Sequence, residues 1–226
     1  MLFPGVTAPA HKISPKPAEH PEKPRSHLLS HILYNSDNLP TTNSLAQLRQ
    51  GQLLLHSTSR PVGAAMNMSL STLFRWAHPS IYNMKRYKEE EIVVPGGLIL
   101  AGTIAASSRG LFETLCESLD SCFFLNKVSP VDLIGGVSYI NSIKPLKEGI
   151  EEVKVTTLGL KNLDVTRELI DVAIPEELFT KQLHRKQVEA LVQEYCPILA
   201  GKIVVKAVRT IVRQSPYAQH KNIPLL

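Results

Sequence analysis

Apolar and polar positions follow one another differently along three stretches of the chain. From about Ser44 to Pro175 the pattern is that of a packed domain. "LAQLRQGQLLLHSTSRPV" reads as an opening segment, a turn at Gly51 and a strand, and "PSIYNMKRYKEEE" as a charged helical or loop insert. "GGLILAGTIAASSRGLFETLCESL" then keeps small and apolar residues at helical spacing for about six turns, with no proline after Pro95, and predicts a buried central helix. "SCFFLNKVSPV", "GGVSYINSIKPL", "EEVKVTTLGLKNL" and "TRELIDVAI" are rich in β-branched and aromatic residues and are separated by Gly, Pro or Asn, which predicts strands joined by turns. Strand, long helix and antiparallel meander make up the α+β order in which one sheet wraps one helix.

The flanks differ from this middle region. Residues 1–44 carry Pro4, Pro9, Pro15, Pro17, Pro21, Pro24 and Pro40 among polar and basic residues, which predicts an extended arm. His27 and His31 lie one helical turn apart in "RSHLLSHIL", but no third ligand is near, so no metal site is expected. Residues 176–226 predict a helical extension. "PEELFTKQLHRKQVEALVQEY" starts with Pro175 and two glutamates, and "ILAGKIVVKAVRTIVRQ" forms a second helix ended by Pro216. Lys202, Lys206, Arg209 and Arg213, spaced four, three and four apart, would line one face of that helix with no carboxylate between them. Such a stripe is either an ordinary solvated face or a contact for RNA phosphates or an acidic protein surface. The expected domains are therefore an arm (1–44), a core domain (45–175) and a basic helical extension (176–226).

Charge and composition narrow the chemistry. A net charge of +5 is compatible with an anionic partner without demanding one. Cys116, Cys122 and Cys196 show no paired spacing, so neither a disulfide nor zinc is expected. The apolar run from Ile92 is interrupted by Pro95-Gly96-Gly97, so no transmembrane segment is expected. The N-terminal residues have no continuous apolar stretch and no acidic residue before Glu19, a pattern that leaves an organellar import signal open. The sequence has no G-x-S-x-G elbow, P-loop, H-E-x-x-H or G-x-G-x-x-G fingerprint, and no cofactor is expected.

Three segments in order, "LRQGQLLLHSTSRPVGAAMN", "IVVPGGLILA" and "VSYINSIKPLKEG", resemble the MaoC-like dehydratases of the hot-dog fold across most of residues 46–175. The resemblance implies a hot-dog fold, an antiparallel sheet around a long central helix. Active members carry D-x-N-P-x-H before that helix, and its Asp and His perform acid/base work on an enoyl thioester and water. With Pro79 of "WAHPSI" as the motif proline, the Asp position is Trp76, the Asn position His78 and the His position Ile81. Trp and Ile exchange no protons in the working pH range. His78 and Tyr82 lie nearby, but no Asp or Glu occurs between Met66 and Lys88. Pro95 stands where the family commonly has His, and Ile150 follows Gly149 where the family has Asp. Gly96 or Gly97 could still offer a backbone N–H to a thioester carbonyl.

The resemblance thus implies no enzyme but a structural subunit, a pseudoenzyme. Analogy with former metabolic enzymes recruited into organellar complexes suggests a mitochondrial assembly, the mitochondrial ribosome with rRNA contact first and a respiratory or ATP synthase complex second. A divergent enoyl-CoA hydratase and an acyl-thioester-binding protein are the alternatives. Hot-dog domains cover a sheet edge, so a dimer, homo or hetero, or a substitute neighbour is expected.

Overall fold

The computed structural model describes residues 47–215 apart from 77, 89, 90, 112, 113 and 148. Among the described residues, strands β1 (Leu53–Pro61), β2 (Thr114–Phe124), β3 (Leu133–Lys147), β4 (Ile150–Lys161) and β5 (Ile203–Gln214) pair antiparallel in one sheet, ordered β1-β3-β4-β5-β2. Between β1 and β2 the chain forms α1 (Ala64–Leu73), the single turn α2 (Pro79–Tyr82) and the central helix α3 (Gly96–Ser107). Three further helices, α4 (Val165–Glu168), α5 (Glu177–Thr180) and α6 (Arg185–Tyr195), connect β4 to β5. The expected α+β arrangement of one sheet around one helix is the arrangement found.

Glycines set how closely α3 lies on the sheet. A Cβ at Gly159 of β4 would collide with Thr103 of α3 and with Val205 of β5, so only glycine fits there. Gly149, at φ 81°, closes the β3–β4 hairpin in the left-handed region. On the helix side of the sheet, Ile99, Ile134 and Val205 form an apolar cluster with Val62, Val94 and Val128, and Ile140, Val153, Val155 and Ile211 form another with Leu48 and Leu111. On the far side, Leu158, Leu160 and Ile203 are covered by Leu169, Phe179, Val188 and Val192 of the α4–α6 layer.

The elements depart from the sequence expectations in three places. The central helix has 12 residues and stops at Ser107, where the Ser107 and Ser108 hydroxyls donate back to the carbonyls of Ile104 and Ala105 and compete with the next turn. "TLCESLDSCFF" is then strand β2, not the end of the helix. "TRELIDVAI" is not a strand: the Glu168 carboxylate accepts the Asp164 N–H at 2.7 Å and closes a short helical turn.

The largest correction concerns residues 198–214, expected as a basic helix. Ile203–Gln214 is β5, hydrogen-bonded between β4 and β2 inside the sheet. Its β-branched residues at 203, 204, 205, 208, 210, 211 and 212 suit a pleated surface buried on both faces. A domain boundary at residue 175 fails with it, because β5 belongs to the same unit as β1–β4. The arm at 1–44, with His27 and His31, lies outside the described residues. Among the described residues no helix is long and apolar enough to cross a membrane.

Candidate functional site

The segment before α3 is built as a series of pinned turns. Helix α1 ends with Arg75 in the left-handed region at φ 54°, the Arg75 N–H donating to Thr72 O and the Trp76 N–H to Ser71 O. This pair of bonds is the Schellman closure of a helix C-terminus. Trp76 is half-buried and stacks on Phe74, with ring centroids 5.4 Å apart. His78 caps α2: its Nδ1 accepts the Ser80 N–H at 3.3 Å and lies 2.7 Å from the Ser80 hydroxyl. That use of Nδ1 as an acceptor places the imidazole proton on Nε2. Buried Asn67 donates from Nδ2 to the Ile81 carbonyl at 3.1 Å and ties the motif segment to α1.

The residues assigned by resemblance to the family's proton chemistry therefore have local structural positions. Trp76 is in an aromatic stack, Ile81 is half-buried with its carbonyl engaged, His78 is an exposed cap and Tyr82 is 40% exposed. Gly96 and Gly97 open α3, where both the Leu98 and Ile99 N–H groups donate to Pro95 O. A Cβ at Gly96 would stand 2.7 Å from Cζ of Phe124, so the end of β2 presses an aromatic ring on the helix start. The space at Gly97 is open. Phe124 had no sequence signal, since only the β2–β5 pairing brings it to α3.

At the opposite end of α3, about 18 Å away along the axis, polar side chains from every strand meet under the sheet. His56 Nε2 of β1 lies 2.8 Å from Ser138 Oγ of β3, which lies 2.7 Å from Thr157 Oγ1 of β4. Arg209 of β5 donates to Thr157 Oγ1 at 2.8 Å, to Ser107 Oγ of α3 at 2.9 Å and to Glu117 of β2 at 3.0 Å. One orientation satisfies the row: Arg209 donates to Thr157, Thr157 to Ser138, and Ser138 to a neutral His56. Burial, and then the nearby Arg209 charge, lowers the His56 pKa to about 4. His56 in "LLLHSTS" is the one member with a sequence trace, a histidine inside an apolar strand.

The four basic residues expected on one exposed face are separated by the strand. Arg209 and Arg213 point toward the helix side, buried, with Glu117 at 3.0 Å and Glu151 at 2.8 Å. Lys206 points to the other face and Lys202 lies before the strand, half-exposed. A stripe offered by Arg209 and Arg213 to RNA or to a partner is thereby excluded. Alternation of period two, not 3.6, governs this segment.

This sheet and helix define a class, the hot-dog fold. Among solved structures, a MaoC domain protein dehydratase from Chloroflexus aurantiacus matches with a TM-score of 0.53 and 16% identity over 74% of this chain. The chain spans 43% of that protein's length. A MaoC-like dehydratase from Rhodospirillum rubrum matches at a TM-score of 0.45 and 14% identity, covering 74% of this chain and 93% of its own. An R-hydratase from Pseudomonas aeruginosa matches at 0.45 and 15%, covering 73% and 81%. The fold assignment rests on the first of these. No family profile and no curated sequence matches the chain.

Proposed function

We propose that this chain is a hot-dog protein without hydratase activity that serves as a structural subunit of a larger assembly. The observation that carries the proposal is the pair Trp76 and Ile81 at the positions of the family's proton-transferring Asp and His, one in an aromatic stack and the other fixed through its carbonyl. Hydration of a conjugated thioester needs one group to take a proton from water and one to deliver it. Neither side chain can do so, and Phe124 crowds the helix start at Gly96. Exposed apolar side chains support a partner-bound state. Leu73 and Phe74 at the end of α1, and Leu119 and Phe124 on the edge strand β2, are 46–71% exposed.

The setting we propose, a mitochondrial assembly, rests on analogy with recruited metabolic enzymes. Within that setting the ribosome loses its particular argument, because Arg209 and Arg213 are consumed inside the fold. Protein contacts through the exposed apolar edge take its place. Affinity purification of the tagged full-length protein, with nuclease treatment, tests this. A fixed set of partner proteins retained after nuclease is expected, whereas a free homodimer carrying an acyl thioester would overturn the subunit reading.

One observation favours an acyl-thioester-binding protein as the second reading. Gly97, at the N-terminus of α3, faces open space where free N–H groups and the helix dipole favour a carbonyl oxygen. Saturable binding of a non-hydrolysable acyl-CoA that disappears in Gly97→Pro would select it.

A further inference from the structure

The three basic residues of β5 are treated unequally by the fold. Arg209 and Arg213, on the helix side, each have a carboxylate from a neighbouring strand. Lys206, on the opposite side and 7% exposed, has none among the described residues; its ammonium donates to the Lys181 carbonyl at 2.6 Å. A buried cation without a counter-charge is costly, and burial lowers the Lys206 pKa accordingly.

Lys206 lies on a cavity of about 320 Å³ on the outer face of the sheet, between β2–β5 and the segment after α5. Lys154 of β4 and Lys181 also line it, and no carboxylate does. Glu177 stands 3.7 Å from the exposed Lys181 ammonium, Glu176 accepts the Tyr139 hydroxyl, and Asp120 accepts from Thr210. These three carboxylates are thus engaged elsewhere, and none lines the cavity. Asn141 adds a donor, because its amide oxygen accepts the Thr156 hydroxyl and its NH₂ group remains for a ligand. Phe123 and Phe179 supply apolar walls, the latter stacked on Tyr139 at 5.3 Å.

We propose that this outer cavity is a binding site for a phosphate-bearing small molecule with a planar or apolar group, its phosphate held by Lys206, Lys154 and Asn141 and its body between Phe123 and Phe179. Two ammonium groups, Lys206 and Lys154, in a lining without a carboxylate match the double charge of a phosphate monoester better than a single carboxylate. The volume is at the lower end for small-molecule sites and suits one ring with its phosphate. The site lies on the opposite face of the sheet from α3, so it is independent of the hydratase question.

Titration calorimetry of the full-length protein with phenyl phosphate, and with benzoate as the carboxylate probe, tests the proposal. Saturable binding of phenyl phosphate is expected, with benzoate weaker by about tenfold or more. K206M keeps the side-chain length and removes the charge, and should weaken phenyl phosphate by about tenfold or more, with K154Q weaker by a few-fold. K88Q, away from the cavity, should bind as the unaltered protein does. Lys154 is exposed, so K154Q gives a reading even if K206M fails to fold. The absence of saturable binding, equal affinity for benzoate, or affinity unchanged in both K206M and K154Q would each overturn the assignment.

Discussion

The two ends of the central helix contrast sharply in chemistry. At its N-terminal end, where the family resemblance places proton transfer, Pro95 caps the helix and the Phe124 ring lies on Gly96, the preceding motif segment carries Trp76 and Ile81, and its histidine is spent capping α2. At its C-terminal end, five strands contribute His56, Ser138, Thr157, Arg209 and Glu117 to one continuous row of hydrogen bonds that reaches Ser107 of α3. The first end has polar backbone and few side chains to use it. The second has a buried network in which each member is hydrogen-bonded to the next, with only Arg209 Nε left without a partner among the described residues, a state that holds a structure in place and offers little to a substrate. The two inner apolar clusters are therefore joined across a polar layer that fixes sheet and helix together.

That contrast can be broken from the C-terminal end first. Arg209→Ala removes the donor to three partners and leaves hydroxyls and the Glu117 carboxylate unpaired, and should lower stability by about 3 kcal/mol, read as a urea midpoint shift. Acid has a comparable effect through His56. Its folded pKa, about 4, is depressed below the unfolded value near 6.5. The folded state thus binds the proton less readily than the unfolded one, so the stability contribution is complete above about pH 6.5 and is lost as pH falls toward 4. Protonation would also make Nε2 a donor to Ser138 and turn the Ser138–Thr157 bond round, and because Arg209 can only donate, the Thr157 hydroxyl would lose its acceptor in the row. Melting curves from pH 7.5 to 4.5 should show the unaltered protein losing up to about 3 kcal/mol more than His56→Gln over that window.

Smaller effects follow along the helix. Gly159→Ala forces α3 away from β4 at Thr103, and should cost about 2 kcal/mol in thermal unfolding. Gly96→Ala meets only the far end of the exposed Phe124 side chain, and should cost less than about 1 kcal/mol. A Gly96→Ala penalty as large as that of Gly159→Ala would mean that Phe124 is rigidly held, contrary to its 51% exposure.

Much of the sheet was legible because β1, β3 and β4 carry local signals: a turn glycine, alternating apolar residues and Gly149 at the hairpin. The strand β5 was not, because "KIVVKAVRTIVRQ" satisfies two periods at once. Its basic residues fall at helical spacing while its β-branched residues suit a strand, and pairing with β4 and β2 decides the matter. The partners of Arg209 and Arg213 come from Glu117 and Glu151, 92 and 62 residues away. A run without carboxylates therefore looked exposed when its counter-charges lay on neighbouring strands. The motif segment was legible in residue identity but not in surroundings: the stack of Trp76 on Phe74 and the anchoring of Ile81 by Asn67 are tertiary facts. Phe124 likewise reaches Gly96 only through the register of an edge strand.

The most direct test of the central claim is an enoyl-CoA hydration assay on the purified full-length protein, beside His78→Ala and Tyr82→Phe. The account predicts no loss of the conjugated thioester above the buffer rate in any of the three. Turnover by the unaltered protein that vanishes in His78→Ala or Tyr82→Phe would contradict it, and would place working acid/base chemistry at the N-terminal end of the helix after all.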